Sequence, residues 1–341
     1  MKKLLLLVVA VFLLSSVNAQ KEKQNFKVMF YNVENYFDTV DDPDKEDDEF
    51  LPGGIRGWNT AKYYTKQSNI SKVISALGGW VPPALVGLCE VESDKALHDL
   101  TRMSPLKNLD YRYVHYESPD IRGIDVALLY QPDQFTPHHS EAIEIFFTNT
   151  TYKTRDILYV SGTVNATSDT LHVFVCHWPS RLGGELESED RRVQVAEHLR
   201  HKVDSIFNTT SAPNIVIMGD FNDQPSNNSI LNTLGANPLN EGFEADKLYN
   251  LAFRLEEKGK GSHKYQGEWG MLDQIIVSGA LLDLKNNINT TVNDMHVFEP
   301  DFLLEADKAF LGKMPKRTYI GMRYRGGFSD HLPVYVDLWH D

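Results

Sequence analysis

Only two cysteines occur in the 341 residues, Cys89 and Cys176. Two cysteines cannot build a disulfide scaffold. Both sit in apolar runs, where a small buried thiol is the ordinary outcome, so we read them as buried free thiols. After the first 20 residues no apolar run is long enough to cross a bilayer. No Pro/Ser/Gly-rich linker and no internal repeat divides the chain, which argues for one domain over residues 20–341. Basic charge is scarce: Lys and Arg number 34 against 47 Asp and Glu, a net charge of −13. Such a chain repels polyanions at long range, so any phosphate-ester chemistry needs a cation or a local basic patch. The motif GxxxxGK[ST] is absent, which excludes a nucleotide-binding P-loop. HExxH is absent too. Ser180, in HWPSR, is not set in a GxSxG elbow, which argues against a serine hydrolase.

The chain opens MKKLLLLVVAVFLLSSVNAQ. A basic start, an apolar core from Leu4 to Leu14 and small residues at 17–19 predict a signal peptide over 1–19. The mature protein is then an exported one, with no stable membrane insertion. Its net charge moves from −13 to −15 with the loss of Lys2 and Lys3. The acidic stretch 38–54 lacks EF-hand spacing and reads as a solvated loop.

Short runs rich in Val, Ile, Tyr and Phe recur, as strands require. They are FKVMFYNV (26–33), ALVGLCEV (84–91), IDVALLY (124–130), DILYVSGTV (156–164), LHVFVCH (171–177), NIVIMGD (214–220), LDQIIVS (272–278) and LPVYVDL (332–338). Ile70, Val73, Ile74 and Leu77 keep helical spacing, and Gly78-Gly79 ends that helix. A second helix has the apolar face Val193, Ala196, Leu199, Val203 and Ile206, with Ser188 as its expected cap. The pattern predicts packed sheets flanked by helices, with function at one rim.

Six strands meet their loops in polar residues. Asn32, Glu90, His177 and Asp220 close four of them; Asp273 opens a fifth, and Asp330-His331 precedes the last. Convergence on one rim would gather four carboxylates, two histidines and two amides, counting Asn222. Clustered carboxylates repel unless a divalent cation or an imidazolium stands among them. Oxygen ligands suit Mg²⁺ or Mn²⁺ rather than Zn²⁺. Such a cluster fits phosphate-ester hydrolysis.

YNVEN, LCEVES, HWPSR, GDFND, LDQIIVS and FSDHLPV, in that order over about residues 26–339, resemble the endonuclease/exonuclease/phosphatase superfamily. The resemblance implies an α/β four-layer sandwich, two mainly antiparallel sheets face to face with helices outside. It implies Glu90 as the principal metal ligand, with Asn32 beside it and Asp330 as a metal or orienting partner. Asp220 and Asn222 would orient the attacking water and bind phosphate. His331 and His177 would be the two catalytic histidines, with Asp273 fixing the tautomer of His177. Members differ over which histidine is the base and over one metal or two. Arg181 and Arg155 are candidate phosphate contacts, the first because it follows HWPS.

The leading functional reading is an exported Mg²⁺- or Mn²⁺-dependent nuclease that hydrolyses phosphodiester bonds of DNA or RNA, a monomer with no protein partner. The alternative is a phosphodiesterase or phosphatase for a phospholipid or inositol phosphate. A non-catalytic binding protein comes third, since every named position is intact.

Overall fold

The computed structural model describes residues 23–341, apart from 149, 240 and 241. The leader expected at 1–19 lies outside the described residues.

Two large sheets carry the fold. The first contains β1 (Gln24–Tyr36), β2 (Leu85–Val91), β3 (Arg112–His115), β4 (Asp125–Tyr130), β14 (Ile288–Asn289), β15 (Met295–Val297) and β20 (Val334–His340). Its order is β14-β20-β1-β2-β4-β3, with β15 also on β20. The second contains β5 (Phe135–Ile143), β6 (Ile157–Val164), β7 (Asp169–His177), β8 (Asn214–Asp220), β9 (Ala236–Asn237), β10 (Leu248–Asn250) and β13 (Asp273–Ser278). Its order is β5-β6-β7-β8-β13-β10-β9. Three small hairpins complete the strands: β11 (His263–Tyr265) with β12 (Glu268–Gly270), β16 (Leu304–Ala306) with β17 (Lys313–Pro315), and β18 (Tyr319–Ile320) with β19 (Arg323–Tyr324).

The sheets are mainly antiparallel, yet each holds a parallel pair at its centre. β1 runs parallel to β2, and β7 to β8. Parallel neighbours need a crossover, and a helix supplies each one. The helix α1 (Thr60–Gly78) links β1 to β2, while α3 (Glu185–Thr209) links β7 to β8; a short α2 (Asp94–Arg102) follows β2, and α4 (Phe253–Glu257) lies after β10. Asn59 caps α1 by accepting from Lys62 N–H, and Gly79, at φ +62°, ends it. Ser188 does not cap α3. The helix starts three residues earlier, after Gly184. Ser188 instead bonds back to Gly184 O and accepts from the buried Arg192, so an interior packing need outweighs its capping tendency.

Strand alternation divides the core into layers. Val28 and Phe30 of β1 join Leu128, Val160, Val175, Met218, Ile275 and Val336 between the sheets. Met29, Tyr31 and Val33 face the other way, onto Ile70, Val73 and Ile74 of α1. Phe174 and Ile217 do the same against Val195, Leu199 and Val203 of α3. This is the expected helix–sheet–sheet–helix stack. Each fully buried large apolar side chain contributes about 1.5–3 kcal/mol. Cys89 and Cys176 are buried and free. The acidic 38–54 stretch is less solvated than its charge suggests: Asp38, Asp47 and Phe50 are buried, and Lys45 Nζ binds the carbonyls of Ser118 and Asp120.

The parallel register allows no side chain at Gly219. It pairs with Cys176 across β7 and β8, and a Cβ there would lie 2.5 Å from the Cys176 carbonyl oxygen. Gly219→Ala should therefore destabilise the protein by about 1–3 kcal/mol, the usual scale of overpacking. Urea unfolding at constant slope measures this, and an unchanged midpoint would contradict the packing.

Candidate active site

The parallel pairs explain why polar residues meet at one edge. Parallel strands bring their ends to one edge: Asn32 and Glu90 come together where the β1–β2 ladder breaks after the Asn32–Cys89 pair, and His177 and Asp220 close β7 and β8. β13 runs antiparallel to β8 and starts at the same edge, with Asp273 opposite Asp220. β20 likewise runs antiparallel to β1, so Asp330-His331 arrives beside Asn32. Ser329 fixes that approach, donating to Asn32 O at 2.7 Å while accepting from His331 N–H at 3.0 Å.

Asp220 is the hub. Its Oδ2 accepts from Asn32 Nδ2 at 3.0 Å and lies 3.8 Å from both His177 Nε2 and His331 Nε2. Its Oδ1 accepts from Asn222 N–H at 3.0 Å. Asn32 Nδ2 also reaches Glu90 Oε1 at 3.2 Å, and Asn35 N–H holds Glu90 Oε2 at 2.8 Å. His177 Nε2 stands 3.9 Å from Glu90 Oε1. Local backbone departures aim these groups. Glu90 has φ +62° at a register shift in β2, and Asn222 has φ +52°. Bulges and left-handed residues of this kind cluster at functional sites, at a cost of about 1–3 kcal/mol each.

One expected pairing is corrected. Asp273 holds His331, not His177: His331 Nδ1 and Asp273 Oδ2 are 2.6 Å apart. The register places Asp273 on the side of Asp220 away from β7, where β20 brings in His331. His177 Nδ1 has no hydrogen-bond partner among the described residues, and neither has Asp273 Oδ1.

The two histidines consequently differ in charge. Burial favours the neutral form of His177, and the Arg155, Arg122 and His331 charges add to this, so its pKa falls well below the ordinary value. Burial also opposes charge on His331, but the Asp273 and Asp220 carboxylates more than reverse it and raise its pKa well above that value. Burial and the Asp273 charge push Asp220 up to about 7, against the His331 imidazolium and its own hydrogen bonds. Asp330 is drawn to about 2: burial opposes this, but Arg317 and the neighbouring histidines prevail.

Asp330 stands with the histidines. Its ligand atoms lie within 4.8 Å of those of His331 and His263, and Arg317 donates to it at 2.8 Å. Arg317 also binds Glu34, which accepts from Thr318 N–H. Arg155 is not a substrate contact. It is 2% exposed, and its guanidinium binds the carbonyls of His177 and Trp178 and the Asp120 carboxylate; it props the end of β7 from behind. Arg181 does reach the rim, but its donors go to Asn222 O at 2.6 Å, Asp223, Asn227 and Glu185. It fixes the turn that carries Asn222. Sequence reading missed His263, whose ring packs against that of His331 at 4.6 Å, tilted by 35°. It sits in GSHKY without a flanking apolar run, so no strand-end signal marked it. Buried Lys66 was missed as well. Burial lowers its pKa to about 8 despite nearby carboxylates, and it ties α1 to Thr318 and Phe328 O.

Among the described residues, ligand atoms converge at this rim in two groups, Asp220 with Asp273 and His331, and Asp330 with His331 and His263, each within 4.8 Å. Glu90 belongs to neither and meets Asp220 through Asn32. Carboxylate oxygens and imidazole nitrogens so placed could hold a divalent cation.

Compared with protein families, the sequence matches the Endonuclease/Exonuclease/phosphatase family over residues 27–340. The chain belongs to that family. No curated protein matches it in sequence. Solved structures share the fold at low identity. An endonuclease/exonuclease/phosphatase family protein of Bacteroides thetaiotaomicron is 15% identical, with TM-score 0.57 over 94% of this chain and 99% of that one. TDP2 of D. rerio, complexed with single strand DNA product, is 14% identical, with TM-score 0.55 over 92% and 98%. A mannosyl-6-phosphatase of B. thetaiotaomicron is 15% identical, with TM-score 0.54 over 92% and 99%.

The His331–Asp273 contact has a measurable consequence. A folded pKa above the unfolded one stabilises the protein fully below about pH 6.5. That contribution is lost as pH rises through the folded value. NMR of the imidazole nitrogens should show His331 protonated at pH 7.5, and Asp273→Asn should lower its pKa. A His331 that titrates near 6.5 in both proteins would refute the ion pair.

Proposed function

We propose that the chain is a divalent-cation-dependent phosphoesterase whose reaction takes place at the rim around Asp220, on a small phosphate ester. Export through the leader at 1–19 is part of this proposal. The observation that carries it is the Asn32 bridge from Glu90 to Asp220, which brings carboxylates of both sheets within one hydrogen-bond network. A cation held by Glu90 and its neighbours would supply charge neutralisation for the phosphoryl oxygens.

The chain's own groups divide the remaining work. Asp220, near pH 7 in affinity for a proton, suits a general base for the attacking water. Asn222 N–H and Asn32 Nδ2 hold its two oxygens in place. The His331 imidazolium offers a charged donor to a phosphate oxygen, and Asp273 fixes its ring. His177, neutral and seated between Glu90 and Asp220, can bind phosphate or relay a proton without adding charge.

A small substrate is favoured because Arg317, Arg181 and Arg155 are each already paired with carboxylates. Little of their charge is left for a polyanion. The nuclease reading stands second. Lys62 lies over the half-buried ring of Tyr324 with Arg56 nearby on Tyr319, a basic and aromatic grouping that suits single-stranded nucleic acid, and the D. rerio neighbour is complexed with a DNA product.

Metal-free protein should be inactive on p-nitrophenyl phosphate and on an oligonucleotide, and Mg²⁺ or Mn²⁺ should restore at least one activity. Asp220→Asn and His331→Ala should each reduce turnover by roughly 10²–10⁴. Full turnover in excess EDTA removes the metal reading. Oligonucleotide cleavage faster than monoester hydrolysis reverses the order of the two readings.

A further inference from the structure

Beside the rim lies a cleft of about 710 Å³ whose wall includes Asn222 and His263. That volume suits a small-molecule site. One side is the loop after HWPS, with Leu182 exposed; the other is the β11–β12 hairpin, with Tyr265 and Trp269. The hairpin is not left to sway. Lys264 Nζ inserts into the β16–β17 turn, donating to Asp307 at 2.8 Å and to the carbonyls of Leu311 and Lys313 at 3.0 and 3.2 Å. Trp269 packs partly on the apolar cluster beneath α1. The cleft thus has a fixed aromatic wall.

Its polar lining is specific in sign. Glu185 and Glu268 face one cation, Arg181, which already pairs with Glu185 and Asp223. Gln224 Oε1 accepts from Met271 N–H at 2.8 Å, so its amide N–H groups remain as donors to the cleft. Carboxylates accept strongly from hydroxyl donors. The same carboxylates repel further phosphates, as a polynucleotide would carry on either side of its scissile bond. An acyl chain would leave them desolvated without partners. An aromatic face with hydroxyl acceptors and one amide donor suits a ring that is apolar on its faces and hydroxylated at its edge.

We propose that this cleft binds the sugar ring of a phosphorylated saccharide and so places the phosphate ester against Asn222 and the rim. The assignment rests on the phosphoesterase reading for its orientation, while its chemistry comes from the cleft itself. Trp269 stacks on the ring, and Glu268 and Gln224 take its hydroxyls.

Calorimetric titration tests it, with the purified protein and Mg²⁺. The ligands are glucose 6-phosphate, mannose 6-phosphate, glucose 1-phosphate, n-propyl phosphate and a thymidine dinucleotide. At least one hexose phosphate should bind ten-fold or more tightly than propyl phosphate. Trp269→Ala should abolish that difference and leave propyl phosphate affinity within three-fold. Glu268→Gln, at an exposed position, should reduce it without risk to folding. Equal affinity for hexose and propyl esters, or a preference that survives both variants, overturns the inference. Tighter dinucleotide binding that depends on Trp269 overturns it in favour of nucleic acid. Turnover is followed separately: a hexose phosphate bound through Trp269 but not hydrolysed defeats the phosphoesterase reading and leaves the cleft assigned.

Discussion

The Asn32 amide is where the two sheets become one site. Its NH2 group donates to Glu90 in its own sheet and to Asp220 in the other. Everything around it depends on that span. It gives two carboxylates on separate sheets a shared donor, with His177 Nε2 at 3.9 and 3.8 Å from them, where like charges would otherwise repel. The bridge is possible only because the core between the sheets is filled, from Phe30 and Leu128 to Met218 and Ile275. Apolar packing sets the sheet separation, and the separation sets the reach of Asn32.

The remaining charge is balanced by position rather than by number. Asp220, Asp273 and Asp330 stand close to one imidazolium, His331, with Arg317 on the outer side of Asp330. Burial lowers the pKa of His177 within the same rim, and Arg155, whose guanidinium binds its carbonyl, adds to this. Arg155 was expected at the substrate. Its burial makes better physical sense, since one guanidinium binds the carbonyls of His177 and Trp178 and the Asp120 carboxylate at the end of β7. Arg181 plays a similar part for Asn222. Both arginines brace the backbone that carries the rim residues.

Much of this was legible in the sequence, for a definite reason. An apolar run that stops at Asp, Glu, His or Asn marks a strand end, and parallel strands end together. Asn32, Glu90, His177 and Asp220 could thus be named as one set. The pairing of Asp273 could not, because it depends on which neighbour lies on each side of β8, and sequence order says nothing of that. β13 and β20 arrive from remote parts of the chain, and their placement decides that His331 is the partner. His263 and Lys66 were illegible for a different reason. One sits in a turn-rich hairpin and the other in a helix, where a lone polar residue is usually solvent-facing.

The same distinction separates chemistry from selectivity in this molecule. The rim rests on β1, β2, β7, β8, β13 and β20, whose positions are fixed by the two sheets. The walls beside it come from the 180–184 loop and from the β11–β12 hairpin, braced by the β16–β17 turn, and none of these belongs to either large sheet. Such segments can change in length or composition without moving Asp220 or Glu90. Fold and family membership therefore specify phosphoester chemistry more tightly than they specify the alcohol attached to the phosphate. What this chain accepts has to be read from Trp269, Tyr265, Glu268 and Lys264, residues that take no part in holding the rim together.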